Sequence, residues 1–227
     1  MISTREMKTE RRAAIAEDDA RASTPERLVA AAERLFAERG FNGVSVREIA
    51  AAAAVNPASV GYYFRGKEGL LAEVYRRHCR PMNEERFRLL AAARERARPP
   101  PLAAVLEAFI RPALKLTGDA TTPVTRLRAV LAAENSELLD KLVAENFDRS
   151  SRRFVDALAE CLPHLARDDI YWRFHFLLGT VYYTAAGPHR IRTLSQGRCD
   201  PAASEAVIRE LVPFLSAGLS APPVPRP

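Results

Sequence analysis

Apolar residues recur along this chain at helical spacing, and no run alternates as a half-buried strand would. The first clear stripe is Leu28, Ala32, Leu35 and Phe36, at i, i+4, i+7 and i+8. Ser23 or Thr24 suits its cap, Pro25 its first turn, and Gly40 the left-handed residue that stops it. Phe41 and Val44 are expected in a small core beside Phe36. Ser45 and Glu48 then form a capping box, the hydroxyl accepting from an early helix N–H while the carboxylate reaches back to the cap. Val46, Ile49 and Ala50 give that helix an apolar side, and the alanines running to Ala54 let another backbone approach. Asn56 is a second N-cap, and Pro57 suits the first position of the helix it opens. That helix carries Ser59, Tyr62 and Tyr63, with no charge until Arg65. Phe64 is expected in the core, and one of the two tyrosines is free to pack inward, because neighbouring helix positions point about 100° apart.

The remainder also reads as helix. Lys67 opens a segment with Leu70, Leu71, Val74 and Tyr75 on one side, which Pro81 is expected to end or kink. A charged helix from Met82 to about Arg96 turns Phe87, Leu90 and Ala91 inward, and the prolines from Pro99 to Pro101 make a stiff break. Further helices are expected over Leu102–Leu116, with a kink at Pro112, over Arg126–Ala133, and over Leu138–Leu162 with Leu142, Phe147, Phe154, Val155 and Leu158 inward. Asp168 caps a segment running to Thr184, residues 188–201 read as a loop, and a last helix spans Ala203–Leu219 with a bend at Pro213. The fold class is all-α. Two short capped helices across a three- or four-residue turn make a helix-turn-helix candidate within Ser45–Lys67, whose second helix enters the DNA major groove.

Composition changes this picture little. The chain has 227 residues, 48% hydrophobic and 27% charged, enough apolar content for a folded core. A net charge of +6 favours a polyanionic partner without establishing one. Cys79, Cys161 and Cys199 are far apart and odd in number, so neither a disulfide framework nor a CxxC site is implied, and reduced cytosolic thiols are expected. No signal-like apolar region opens the chain, and no apolar run reaches the roughly 18 residues of a membrane span. Residues 1–22 balance five bases against five acids and read as a mobile arm; 23–80 form the helix-turn-helix domain, 81–220 the body, and 221–227 a disordered tail. His78, His164, His175 and His189 lack metal-ligand spacing, and no GxSxG elbow, P-loop or dinucleotide fingerprint appears. An enzyme is therefore not expected, nor any cofactor or metal. A helical adaptor without DNA binding is the alternative.

From Thr24 to about His78 the chain resembles the DNA-binding domain of the TetR/AcrR family of bacterial transcriptional regulators, through AAERLFAERGFNGVSVREIA, AAVNPASVGYYF and KEGLLAEVY. The resemblance implies a three-helix head on a ligand-binding and dimerisation body, cytoplasmic, binding a palindromic double-stranded operator as a homodimer and leaving it when a small molecule fills the body. It assigns DNA contacts to Ser45, which holds phosphate at a helix N-terminus with bare N–H groups, and to Arg47, whose guanidinium can fork onto guanine. It adds Asn56, Pro57, Ala58 and Ser59 at the groove-facing helix start, Tyr62 and Tyr63 on backbone and thymine methyls, and Lys67 on phosphate. Two positions depart from the family pattern. Gly61 replaces a larger residue, and Ala54 replaces the usual turn glycine.

The body, through VLEAFIRPAL, YWRFHFLLGTVYYTAAG and VIRELVPFLSAGL, is similar to a PsrA-like subgroup that answers to long-chain fatty acids or their thioesters. Ile170–Thr184 is apolar nearly all round and is expected to be buried on two sides, its own core and a partner copy. Gly179, Tyr182, Tyr183, Val207, Leu211, Phe214, Leu215 and Gly218 are the candidate dimer residues. Phe109, Phe147, Trp172, Arg173, His175 and Phe176 are the candidate ligand pocket. Arg173 needs a partner within that apolar wrap, either a carboxylate on Asp169, Glu134 or Glu145, or a ligand headgroup. Repressor and activator are not distinguished by these residues.

Overall fold

The computed structural model describes residues 22–117, 137–186, 188–200 and 203–223. The expected arm before residue 22, the helix Arg126–Ala133 and residues 224–227 of the tail lie outside the described residues. Among the described residues there are nine α-helices and no strand: α1 Thr24–Arg39, α2 Val46–Ala52, α3 Ala58–Phe64, α4 Lys67–Arg96, α5 Leu102–Thr117, α6 Glu137–Cys161, α7 Arg167–Ala186, α8 Pro188–Leu194 and α9 Ser204–Ser220. The chain divides into two compact units, up to Val74 and from Tyr75 onward, a few residues before the boundary expected near Pro81.

The first unit is a three-helix head closed by the start of α4. Leu28 and Phe36 of α1, Ile49 of α2, Val60 of α3 and Leu70 and Leu71 of α4 are fully buried together with Val44 from the α1–α2 loop. Each such side chain contributes about 1.5–3 kcal/mol relative to exposure, and these few residues hold the head together. At the entry to α1 the Glu26 carboxylate accepts from the Ser23 N–H at 2.8 Å, with Pro25 in the first turn as expected. Gly40 follows Arg39 at a φ of 74°, where a side chain would be strained. Phe41 lies 5.6 Å from the Phe36 ring. Phe64 is only half-buried, because α3 is a single short layer with Val60 as its buried residue.

The second unit packs around α5, which lies against α6, α7 and α9. Val105, Leu106, Phe109, Ile110 and Leu114 of α5 meet Phe154, Val155 and Leu158 of α6, Ile170, Phe174 and Leu177 of α7, and Ile208, Leu211, Val212, Leu215 and Leu219 of α9 in one core. The Phe109 ring packs edge-on to Phe154 at 4.9 Å and to Phe174 at 5.4 Å, geometries that suit aromatic quadrupoles.

Two expectations are corrected. Pro81 does not end a helix: α4 runs unbroken from Lys67 to Arg96. Both Pro81 and Arg77, whose carbonyl loses its N–H partner, are exposed, so the freed oxygen lies on the solvent side of the helix, where its loss costs least. α5 and α9 also run through their prolines, Pro112 and Pro213, where a kink and a bend, not an end, were expected. The expected loop over 188–201 contains α8, opened by Pro188 at its first position and followed by a turn with positive φ at Gln196 and Gly197.

Candidate DNA-reading face and the surfaces of the body

The capping box at α2 forms as the residues require. Glu48 N–H donates to Ser45 Oγ at 3.3 Å, and the Glu48 carboxylate accepts from the Ser45 N–H at 2.8 Å and from its hydroxyl at 2.7 Å. Arg39, from the end of α1, donates to the other Glu48 oxygen at 2.7 Å. The Ser45 hydroxyl bond, followed by Arg39 and the Ser45 N–H, holds the Glu48 carboxyl down at about 2. One consequence concerns phosphate. The single Ser45 hydroxyl proton is engaged by Glu48, so a phosphate contact there requires the hydroxyl to turn, and the N-terminus of α2 already faces a carboxylate. The bare N–H groups expected at this helix start are therefore partly occupied.

Between α2 and α3 the chain ends one helix and starts the next in five residues, 53–57. Ala54 sits at φ 51°, in the left-handed region, while its N–H reaches Ala51 O at 3.1 Å and Val55 N–H reaches back to Ala50 O at 3.0 Å. This is the hydrogen-bond pattern of a helix stopped by a left-handed residue, so alanine here takes the conformation that glycine would take without strain. Asn56 Oδ1 accepts from Ala58 N–H at 2.8 Å, and Pro57 has helical angles (φ −53°, ψ −32°), so Asn56 is the physical cap.

On α3, Val60 is buried while Ala58, Gly61, Tyr62 and Tyr63 are exposed and Ser59 is half-buried. Tyr62 is 82% exposed and Tyr63 46%, their rings edge-on at 4.8 Å, so neither tyrosine packs inward. A Cβ on Gly61 would meet nothing within 4 Å. Arg47 is exposed on α2. Lys67 is different. Its Nζ donates to Val44 O at 2.7 Å and lies 4.1 Å from the centre of the Phe41 ring, joining the start of α4 to the loop before α2. Two of its three N–H donors remain for another acceptor.

Sequence reading passed over three supports of this face: the Arg39–Glu48 ion pair, Phe41 beneath Lys67, and Gly69. A Cβ on Gly69 would stand 1.8 Å from Phe64 O, so only glycine lets α4 approach the end of α3. A glycine in the first turn of an otherwise apolar-striped helix was the available signal.

In the body the six candidate pocket residues do not converge. Phe109 is core, packed under the buried Arg86, whose guanidinium lies 3.8 Å from its ring and whose Nε donates to Phe109 O at 2.9 Å. Phe147 is half-buried on α6. Trp172, His175 and Phe176 lie on the exposed side of α7, opposite the buried Ile170, Phe174, Leu177 and Val181. Arg173 donates to Leu219 O and, at 3.1 Å, to Pro222 O, satisfying carbonyls at and just beyond the end of α9, while Glu134, one of its expected partners, lies outside the described residues.

The candidate dimer residues divide as well. Gly179, Tyr182, Tyr183, Phe214 and Gly218 are exposed and Val207 is half-buried, whereas Leu211 and Leu215 are buried in the chain's own core because they share the inward stripe of Ile208 and Leu219. Among the described residues no helix is long and apolar enough to cross a membrane.

Comparison with known proteins agrees with this arrangement. Residues 28–74 match the family model described as bacterial regulatory proteins, tetR family, and residues 107–218 match the tetracyclin repressor-like C-terminal domain, together more than half of the chain. A probable HTH-type transcriptional regulator, YttP from Bacillus subtilis, is 51% identical over 49 residues, which are 22% of this chain and 24% of that relative's length. Among solved structures, the fatty acid degradation regulator FadR from Bacillus halodurans superposes with a TM-score of 0.64 at 17% identity, covering 88% of this chain and 97% of that one. FadR from Bacillus subtilis, solved with stearoyl-CoA, superposes with a TM-score of 0.63 at 19% identity, covering 85% and 98%. A DNA-reading head on an all-helical body, matched by both family models, places the chain: it belongs to the TetR family of bacterial transcriptional regulators, which act by binding DNA rather than by catalysis.

Proposed function

We propose that this protein is a homodimeric repressor that binds a palindromic operator and leaves it when an apolar, acyl-type effector occupies the body. The observation that carries the dimer is the outer face of α7. Trp172 is 62% exposed, Phe176 60% and Tyr183 63%, at i, i+4 and i+11, while the opposite stripe already fills the core. Monomers rarely leave so continuous an apolar stripe in water. Gly179 lies within it and Phe214 of α9 is 69% exposed, so the chain offers bulky and small residues for a second copy. A two-fold pair presents two α3 helices, and a two-fold pair reads an inverted repeat with half-sites about 34–36 Å apart.

The effector class is supported by the body's likeness to acyl-responsive regulators and by its interior. Ser150 Oγ and Asn83 Oδ1 are buried without a hydrogen-bond partner. Such atoms cost free energy until something satisfies them; an acyl carbonyl or carboxylate can accept from the Ser150 hydroxyl, whereas Asn83 Oδ1, itself an acceptor, needs a donor such as water. Because α4 supplies residues to both units, an effector that favours one arrangement of the body changes operator affinity by its differential affinity for the two states. The test is operator selection from random DNA followed by titration with fatty acids and acyl thioesters. An inverted-repeat consensus released by one of them is expected. A consensus without inverted symmetry, or a strictly monomeric protein in light scattering, refutes the dimer reading; operator binding indifferent to every acyl compound refutes the effector reading.

A further inference from the structure

We infer that Arg65, the residue that stops α3, holds a DNA phosphate at the far wall of the groove, an inference that rests on α3 being the helix that enters it. Arg65 sits at φ 60° and ψ 21°, in the left-handed region, while its N–H donates to Gly61 O at 3.0 Å. An L side chain in that region crowds its own carbonyl, so glycine or asparagine closes a helix this way at least cost. Gly66, the next residue, shows the contrast: it takes a φ of 122° and has no Cβ to strain. Strained residues of this kind gather at functional sites. Ala54 and Gln196 share the conformation, so the backbone alone assigns nothing. The side chain does.

Arg65 is exposed, and among the described residues its guanidinium makes no hydrogen bond or ion pair. Glu68, three residues on, is also exposed and is not its partner. Arg39 and Lys67 differ: one lies on Glu48, the other is tied to Val44 O. Within the fold, only the negative end of the α3 dipole favours a cation at Arg65, and that effect is weak at an exposed site. All five N–H donors of the guanidinium therefore remain for an outside acceptor. Position says which acceptor. Arg65 follows Ala58 by seven residues, about 10 Å along a helix axis, and the major groove is about 12 Å wide. With the start of α3 on base edges, Arg65 stands where the groove ends and the phosphates of one strand begin. Tyr62, exposed and three residues earlier, shares its side of the helix, and Lys67 follows across Gly66. A guanidinium fork grips two phosphate oxygens at once, so the contact fixes the orientation of α3 as well as adding affinity.

The test is Arg65→Asn in the full-length protein, followed by fluorescence anisotropy across a salt series and by thermal melting. The probe is the duplex recovered by selection from random DNA. Asparagine takes the left-handed conformation at low cost and carries no charge. Binding at low salt should weaken about tenfold, and the log–log salt slope should flatten by about 0.9 per protomer. The melting temperature should hold, or rise by about 2–4 °C as strain is relieved. Arg65→Lys should keep the wild-type slope, because a point charge also holds phosphate. Arg152→Asn, whose partner is Asp148 on α6, is the control and should bind like the wild type. Wild-type affinity and slope in Arg65→Asn overturn the contact. A weaker-binding variant with a lowered melting temperature does so too, since Arg65 then serves the helix end; so does a lysine variant as flat as the asparagine one. Tyr62→Ala separates the contact from the placement of α3. If it weakens binding and Arg65→Asn does not, the contact alone falls; if neither does, α3 is not the helix in the groove. Should Arg65→Asn misfold, Arg65→Gly carries the same expectations.

Discussion

Replacing Lys67 with methionine keeps the aliphatic stem and removes the ammonium, and the structure sets what that should cost. The ammonium donates to a backbone carbonyl at 2.7 Å and stands 4.1 Å from the Phe41 ring, in a partly buried position. A hydrogen bond from a charged donor contributes about 1.5–3 kcal/mol; a cation–π contact adds about 0.5–1 kcal/mol where water competes. Water reaches this site, so the lower ends apply and the sum is about 2 kcal/mol. For a chain of this size unfolding as one unit, each kcal/mol lowers the melting temperature by about 2–4 °C, so a loss of about 4–8 °C is expected. The same variant tests whether Lys67 also holds phosphate. Losing one phosphate contact per protomer flattens the salt dependence of operator binding by about 0.9 in the log–log slope per protomer. A melting curve superimposable on wild type would refute the tie between Lys67 and the α1–α2 loop, and a flatter salt slope beside it would show that the ammonium serves DNA alone.

Gly61→Ala should stabilise the chain by about 1 kcal/mol in urea denaturation, because alanine is the better helix former and its Cβ meets open space. Ala54→Gly should also stabilise it, by about 1 kcal/mol, by relieving a left-handed alanine; an unchanged or lower urea midpoint would argue against that strain. Tyr62→Ala should leave the melting temperature within the error of a surface change, about 0.5 kcal/mol, yet weaken operator binding in a mobility-shift titration. Glu48→Gln should make stability less sensitive to acid. The folded carboxyl titrates at about 2 against an ordinary 4.5, so its contribution is full above 4.5 and lost as pH falls toward 2. Melting curves of wild type and variant should converge across that window, and parallel curves would remove Glu48 from the account.

Much of the head was legible because its signals are local. A capping box, an Asn-Pro helix start and a glycine stop act over three or four residues, and each appears where the residues require it. The tie through Lys67 was not legible, because Val44 and Phe41 lie more than twenty residues away and nothing in the pattern pairs them. In the body, the helix over Leu102–Leu116 was plain, but Leu211 and Leu215 were read as interface and are core. An apolar helix tells which residues avoid water, not which neighbour covers them, and the inward direction of α9 is set by α5. The misplaced pocket has the same origin: Trp172, His175 and Phe176 share a segment with Phe174 and Leu177, and helical rotation sends them to opposite faces. Pro81 misled for another reason. The rule that proline breaks helices concerns a lost hydrogen bond and a clash, and both are mild where the freed carbonyl meets water.

The arrangement at α2 bears on how the head reads DNA. A carboxylate fixed at a helix start repels an incoming phosphate: at about 5 Å in water two such charges cost roughly 0.8 kcal/mol, and more where water is excluded. Arg39 offsets that repulsion, since its guanidinium already lies on Glu48. It has further N–H donors to offer a phosphate, so Arg39 and Glu48 act together as a neutral pair with donors pointing outward. We propose that Ser45 serves mainly to shape the helix start and that Arg39, Arg47 and the remaining donors of Lys67 supply the charge that meets the DNA backbone. On that proposal base reading falls to α3, which offers the half-buried Ser59 and the exposed Tyr62 and Tyr63 around the bare backbone of Gly61. A face without charge discriminates through hydroxyl hydrogen bonds and contacts to thymine methyls. Sequence preference therefore rests on few, short-range contacts, and the salt-dependent part of affinity rests on residues outside α3.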